Sequence, residues 1–240
     1  MSERIVIGGG ISGLLTAYYL HQAGEKVCLL ERGLVGRESS WAGGGILSPL
    51  YPWRYHQAVT QLVLWSQTHY PQLTEKLESE TQRRIEFTES GMLVLDEPDI
   101  DAAMQWAQRN QANMARVDSN QLSTLEPTIG QPPQSAIWMP NVAQIRNPRL
   151  VKALREYLLK HNVLIQENTE VTQITHERGK VTGVITEQNV FHSQSVAIAC
   201  GAWSTHIWPQ HSDPLPLKPI RGQMLLIKTQ PGLIKRIVLK

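Results

Sequence analysis

Between a short β-branched run, Arg4–Ile7, and a segment whose apolar residues recur at helical spacing, the chain carries GGGISG, with Gly8, Gly10 and Gly13 in the pattern G-x-G-x-x-G. Few short patterns restrict a fold as much. Gly8 permits a tight turn out of the strand, Gly10 lets a diphosphate approach the backbone, and Gly13 lets the helix pack closely on the strand. The free N–H groups and positive end of that helix then face the phosphates. Leu14, Leu15, Tyr18 and Leu20 give the helix its apolar positions, and Gly24 is suited to the left-handed cap that ends it. Residues 26–31 read as a second strand, parallel to the first, with Glu31 at its end placed to accept both hydroxyls of a ribose. Strand, glycine turn, helix, strand and terminal acid predict an ADP-containing dinucleotide. The acid disfavours a 2′-phosphate, while the neighbouring Arg32 leaves NADP open. Because Glu31 stands at a strand terminus, its removal is expected to weaken the ligand and to spare the apo fold.

The next segment decides which dinucleotide. ESSWAGGGILSPLYP is too rich in Gly, Ser and Pro for regular structure, and Gly43, Gly44 and Gly45 follow directly on the nucleotide half-site. Such a run suits backbone laid against a flat ring or a second phosphate face; a flexible linker is the alternative. Beyond it, residues 55–80 read as a long amphipathic helix, 85–95 as a strand pair broken at Gly91, and 99–113 as a helix. Ser119–Leu125 reads as another helix, capped by Asp118 or Ser119, and 136–139 as a strand after the QPPQ loop. Asn147 can cap a helix that carries Pro148 at its first position. Strands are expected at 163–166, 171–175, 181–186 and 195–199, and in a separate sheet at 215–228 and 234–239. The organisation is interleaved: 1–50 and 141–212 form the nucleotide-binding domain, 51–140 and 213–240 a second, incomplete one.

Composition limits the remaining classes. Among 240 residues, 41% are hydrophobic, enough for a packed core, and 23 Lys and Arg face 21 Asp and Glu. With a net charge of +2 and no basic stripe interleaved with aromatics, no nucleic-acid partner is expected. No apolar stretch approaches the ~20 residues of a membrane span, and the first strand begins almost at Met1, which points to the cytoplasm. Cys28 and Cys200 lie in apolar runs without a ligand at metal spacing, so both read as buried reduced thiols and no metal site is expected. His21, His56, His69, His161, His176, His192, His206 and His211 are scattered singly and read as surface or structural. Neither a Ser–His–Asp set nor a carboxylate pair is present, so no catalytic residue is assigned.

In order, IVIGGGISGLLTAYYL, LLERG, SSWAGGGILSP, NPRLVKAL, TEVTQI, VAIACGAWS and PIRGQM resemble the FAD-dependent D-amino-acid oxidase superfamily, and within it the glycine oxidases of thiamine-precursor synthesis. SSWAGGGIL and ACGAWS are its most specific parts. The resemblance implies an α/β fold, with a Rossmann-like FAD-binding domain of the glutathione-reductase type interleaved with an α+β substrate domain. It implies that Gly8, Gly10, Ile11, Ser12, Gly13, Glu31 and Arg32 hold the ADP part of FAD. Ser39, Ser40, Ala42, Gly43, Gly44, Gly45 and Leu47 would serve the phosphate, ribityl and flavin side. Val171 would offer backbone groups to the adenine, and Ala199, Gly201 and Trp203 would close over the dinucleotide. Read from the residues alone, Val171 is also a core strand residue and Trp203 a core aromatic.

The implied reaction is oxidation of the C–N bond of glycine or another small amine or amino acid by hydride transfer to flavin N5. O2 or another acceptor then takes the electrons, giving an imine or 2-oxo acid, ammonia and H2O2. A D-amino-acid dehydrogenase, a glycerol-3-phosphate dehydrogenase, the flavin domain of a tRNA-modifying oxidoreductase and a dinucleotide-binding module without turnover are the alternatives. Homo-oligomerisation is left open. Members of the superfamily continue past the point matching Lys240 and carry there an arginine that clamps the substrate carboxylate, so a C-terminal truncation is expected. The arginines at hand are Arg54, Arg146 and Arg221, the last read as a hinge into the second sheet. Tyr51, Trp53 and Tyr55 are expected to roof a small substrate pocket.

Overall fold

A strand buried on both faces of a parallel sheet must be apolar at nearly every position, and RIVI and VCLL on either side of the first helix meet that demand. In the computed structural model, which describes residues 4–208 and 213–240, they are β1 (Arg4–Ile7) and β2 (Val27–Leu30), joined by α1 (Ile11–Gln22). Next come α2 (Ser39–Ala42), α3 (Gln57–Thr81), β3 (Met92–Leu95), α4 (Ile100–Asn110), β4 (Ala115–Asp118), α5 (Ser119–Leu125) and β5 (Ser135–Met139). The chain continues through α6 (Asn147–Lys160), β6 (Leu164–Gln166), β7 (Val171–Glu177), β8 (Lys180–Thr186), β9 (Val190–His192), β10 (Val196–Ile198), α7 (Ser204–Ile207) and β11 (Ile237–Leu239).

Two compact units result. The first comprises residues 1–44, 76–85 and 147–224. Its parallel sheet has the order β10-β1-β2-β6, with Ile5 paired to both Val196 and Cys28, so β1 is central. α1 presents Leu14, Ala17 and Tyr18 as its buried face and ends as its glycine predicts: Gly24 takes a φ of +83° and its N–H donates to the His21 carbonyl. The antiparallel meander β7-β8-β9 contributes Val171, Ile174 and Val184 to one core with Ile5, Ile7, Cys28 and Leu30. Gly8, Glu31 and Ala199 each follow directly on a strand of the parallel sheet, which brings them to its C-terminal edge, where open α/β sheets bind ligands.

The second unit comprises residues 45–75, 86–146 and 225–240. In its sheet, β11-β3-β5-β4, all pairs are antiparallel except β11 with β3. Asp118 caps α5 in a reciprocal capping box with Gln121. The unit boundaries differ from those expected. Residues 45–47 side with the second unit because Ile145 N–H donates to the Gly45 carbonyl and Leu47 N–H to that of Ala143. The end of α3 sides with the first unit, where Lys160 Nζ reaches the Glu80 carbonyl and Lys76 Nζ the Gln22 side chain.

Two expected strands are corrected. Of residues 85–95 only Met92–Leu95 is a strand; Glu86 at φ 65° and Gly91 at φ 69° interrupt the extended backbone, leaving Thr88 a single bridge to Gln144. Residues 215–228 form no strand, and Ile220 and Leu226 are 92% and 94% exposed. An apolar run becomes a strand only when a neighbour accepts its hydrogen bonds, and none among the described residues does. Conversely, β4 and β9 were not legible: ARVD and VFH are short and alternate weakly.

β11 is fastened by a buried acid. Glu126, 1% exposed, accepts hydrogen bonds from Thr128 Oγ1 at 2.5 Å and from the backbone N–H groups of Lys235 and Arg236 at 2.7 and 2.9 Å. Burial alone would raise its pKa, but these donors outweigh burial and hold the carboxyl below its usual value. A depressed folded pKa stabilises above the ordinary carboxylate value and ceases to do so as pH falls through the folded one. Glu126→Gln is therefore expected to destabilise by about 1–3 kcal/mol at neutral pH. The gap from wild type should shrink below the ordinary pKa of 4.5. Denaturant unfolding across pH checks the size and sign, and hydrogen exchange at Ile237–Leu239 the location.

Candidate functional site

The glycine turn is set by backbone contacts that exclude a side chain. Gly8 has a φ of +105°, its N–H donates to the Leu30 carbonyl at 2.8 Å, and a Cβ there would stand 2.5 Å from the Ala199 carbonyl oxygen. Gly13, in the first turn of α1, lies against Gly8: a Cβ would be 1.8 Å from the Gly8 oxygen. Above them, Ile11 N–H donates to Ser40 Oγ at 2.8 Å, so a hydroxyl from α2 satisfies one of the donors that the start of α1 leaves open.

Glu31 is held more firmly than its position suggested. One carboxylate oxygen accepts from Gly9 N–H at 2.6 Å, the other from Gly33 N–H at 2.8 Å, and the residue is 9% exposed. It ties the glycine turn to the segment after β2, so its removal is expected to cost apo stability as well as affinity, where its place at a strand end suggested affinity alone. That segment returns the tie. Gly36, at φ 70°, donates its N–H to the Gly9 carbonyl, while Asn168 and Thr169 N–H donate to the carbonyls of Gly33 and Glu31. Arg32 stacks on the Trp203 ring, 4.2 Å from its centroid, and pairs with Glu38 at 3.3 Å.

A cavity of about 340 Å³ opens over this turn, within the range of roughly 300–1,000 Å³ usual for ligand sites. Of the residues implied for cofactor binding, Gly8, Gly10, Ile11, Ser12, Glu31, Arg32, Ser39, Ser40, Val171, Ala199, Gly201 and Trp203 line it. Gly13 lies beneath the turn. Ala42 ends α2 and Gly43 and Gly44 follow it, all outside the lining, and Gly45 and Leu47 belong to the second unit. Val171 is both 5% exposed core and cavity wall. Leu34, Gly36, Arg37, Glu38, Thr169 and Thr172 also line the cavity and were not singled out in the sequence. Gly33 and Gly36, closely spaced after the acid, were the available signal for the first four.

Two readings of single residues, those of Cys200 and Arg221, are corrected. Cys200 is half-buried and lines the cavity, its thiol donating to the Ile7 carbonyl at 3.4 Å. Burial first, and then the Glu31 charge, push its pKa up to about 11, so it is a protonated thiol at neutral pH. His206 also lines the cavity, through α7, whereas His161 stacks on Tyr157 and His69 on Trp65; His211 lies outside the described residues. Arg221 sits in an exposed irregular segment and not at the entry to a sheet. Arg54 is engaged by Glu97, whose side chain is 1% exposed, at 2.7 and 2.9 Å, and Arg146 faces Glu86 at 3.7 Å. Tyr51 and Trp53 meet edge to face and pack against the core of the second unit, while Tyr55 is 48% exposed.

A parallel sheet, a turn that excludes a side chain at Gly8 and Gly13, a helix start and a fixed acid at the strand edge define a dinucleotide-binding α/β protein. The chain belongs to the DAO family, described as FAD dependent oxidoreductase, which it matches over residues 4–238, and FAD is the cofactor of that family. The resemblance seen in the sequence thus holds at the level of the family. A glycine oxidase of Pseudomonas putida is 43% identical over 241 residues and one of Pseudomonas aeruginosa 42% identical, each alignment covering 100% of this chain and 66% of the relative. The crystal structure of glycine oxidase from Bacillus cereus is similar with a TM-score of 0.78 at 28% identity, over 86% of this chain and 57% of that one. The chain therefore spans 66% of the length of these curated relatives. No helix among the described residues is long and apolar enough to cross a membrane.

Proposed function

We propose that the protein carries the FAD-binding part of an oxidase that acts on the C–N bond of glycine or another small amine or amino acid. The observation that carries this reading is the cavity of the first unit, where the glycine turn, the start of α1 and the Glu31 carboxylate converge, in a chain 43% identical to a glycine oxidase. Gly8, Gly10, Ile11 and Ser12 would surround the diphosphate; with Gly8 N–H given to the Leu30 carbonyl and Ile11 N–H to Ser40 Oγ, Gly10 and Ser12 at the start of α1 would be its backbone donors. Ser39 and Ser40 would add hydroxyl donors. Glu31 keeps lone pairs for the ribose hydroxyls beyond the two given to Gly9 and Gly33. Val171 would meet the adenine, with Ala199, Gly201 and Trp203 closing the far wall; a Cβ at Gly201 would meet nothing within 4 Å. Ala42, Gly43 and Gly44 would serve the ribityl and flavin side. FAD held by these residues would supply the two-electron acceptor for the amine, with O2 as the final acceptor. The second unit would form part of the substrate domain.

Peroxide release on adding glycine or sarcosine to the FAD-loaded protein tests this. Peroxide formation is the expected result; bleaching of the flavin by the amine under anaerobic conditions without peroxide in air would mark a dehydrogenase. No bleaching and no peroxide with any small amine would overturn the reading.

A further inference from the structure

Two charged residues outside the cavity bear on its shape. Glu167, directly after β6, accepts Val35 N–H at 2.9 Å on one carboxylate oxygen and Arg155 Nη2, from α6, at 2.9 Å on the other. Val35 is 7% exposed, so without that carboxylate its N–H would be an unsatisfied donor in a buried setting. The next residue, Gly36, is pressed on the same helix: a Cβ there would stand 2.0 Å from Val151 Cγ1, one turn before Arg155. Gly36 in turn donates to the Gly9 carbonyl, and Gly9 N–H donates to Glu31. A continuous path of hydrogen bonds thus runs from Arg155 through Glu167, the 35–36 backbone and the glycine turn to the acid that faces the cavity. Leu34, Gly36, Arg37 and Glu38, all on the segment so held, are cavity wall.

We propose that Arg155 and Glu167 are positioning residues for dinucleotide affinity, holding residues 33–36 and through them the Gly9 turn in the geometry that receives the cofactor. The proposal rests on the dinucleotide reading of the cavity. In a fixed wall Glu31 and the glycine turn already line the site; released, the segment must be ordered anew at each binding event, which weakens affinity.

The test is a fluorescence titration of FAD into apoprotein, run beside thermal unfolding, for wild type, Glu167→Ala, Glu167→Gln, Arg155→Ala, Arg155→Lys and Arg4→Ala. The last breaks the Arg4–Glu25 ion pair at the opposite end of β1, away from the cavity, and controls for general destabilisation. Glu167→Ala is expected to raise Kd about tenfold or more, the scale of losing hydrogen bonds to a charged group. Glu167→Gln keeps an acceptor for Val35 N–H and should recover most of that loss. Arg155→Ala should raise Kd several-fold, with partial rescue by lysine, and Arg4→Ala should leave Kd within about twofold whatever its melting temperature. If Glu167→Ala does not fold, Arg155→Ala against Arg155→Lys carries the same test. Wild-type Kd in Glu167→Ala or Arg155→Ala, or an equal rise in Arg4→Ala, would overturn the proposal. Wild-type protein that binds no FAD would instead overturn the dinucleotide reading beneath it.

Discussion

Glu31→Ala is expected to weaken FAD binding by roughly ten- to a hundredfold, and to lower the stability of the apoprotein by about 1–3 kcal/mol. The first effect follows from removing the acceptor that a ribose diol would meet at the edge of β2, hydrogen bonds to a charged group being stronger than neutral ones. The second follows from what the carboxylate already does. It accepts from Gly9 and Gly33 N–H at 2.6 and 2.8 Å in a site where the residue is 9% exposed, so alanine leaves two donors without their acceptor. Glu31→Gln separates the two effects. An amide keeps one acceptor, but its NH2 must confront one of the two N–H groups, so apo stability should fall less than in alanine while affinity still drops. Titration of FAD into each apoprotein and denaturant unfolding without FAD measure the two quantities. Equal dissociation constants in wild type and alanine would show that Glu31 does not meet the ribose; unchanged unfolding would show that water replaces the carboxylate at both donors.

Glu31 also marks how far the sequence could be read. The turn, the first helix and the parallel pair were legible because their constraints are local: glycines at fixed spacing, unbroken apolar strands and a cap at Gly24 within one short stretch. The partners of Glu31 were not, since Gly9 N–H and Gly33 N–H carry no side-chain signature. The same holds for Glu167 and Val35, which are hydrogen-bonded although 132 positions apart. Cys200 and His206 read as bland because cavity walls are set by tertiary placement, and an isolated thiol or imidazole looks alike in a core, on a surface or beside a ligand. In the other direction, QMLLI satisfies every local demand of a strand and yet forms none, because a strand exists only with its neighbour. Gly91 shows both sides at once. It was legible as a break, but its cause, the Trp138 ring that would stand 1.9 Å from a Cβ, belongs to another strand.

A single methyl at Gly13 is expected to be among the most destructive substitutions in the first unit. A Cβ there would stand 1.8 Å from the Gly8 carbonyl oxygen and 3.0 Å from its carbon, and both are backbone atoms that no rotamer change can move. Gly8 cannot retreat either, since its N–H is bonded to Leu30 and its Cα faces the Ala199 carbonyl. The helix must therefore lift from the sheet, loosening Leu14, Ala17 and Tyr18 from their buried positions. Alanine in place of glycine inside a helix would by itself stabilise by about 1 kcal/mol. Overpacking against a rigid backbone opposes this with about 3 kcal/mol or more, at the upper end of what added methyl groups do in a packed interior, so the clash decides the sign. Gly201→Ala is the matched comparison: at φ 53° it meets only backbone strain and open space, so its apoprotein should unfold within about 1–2 kcal/mol of wild type. Denaturant unfolding of the two variants side by side decides the matter. Gly13→Ala with wild-type stability would mean that α1 can shift by more than an ångström on β1 without loss, and that the third glycine of the turn is not there for packing.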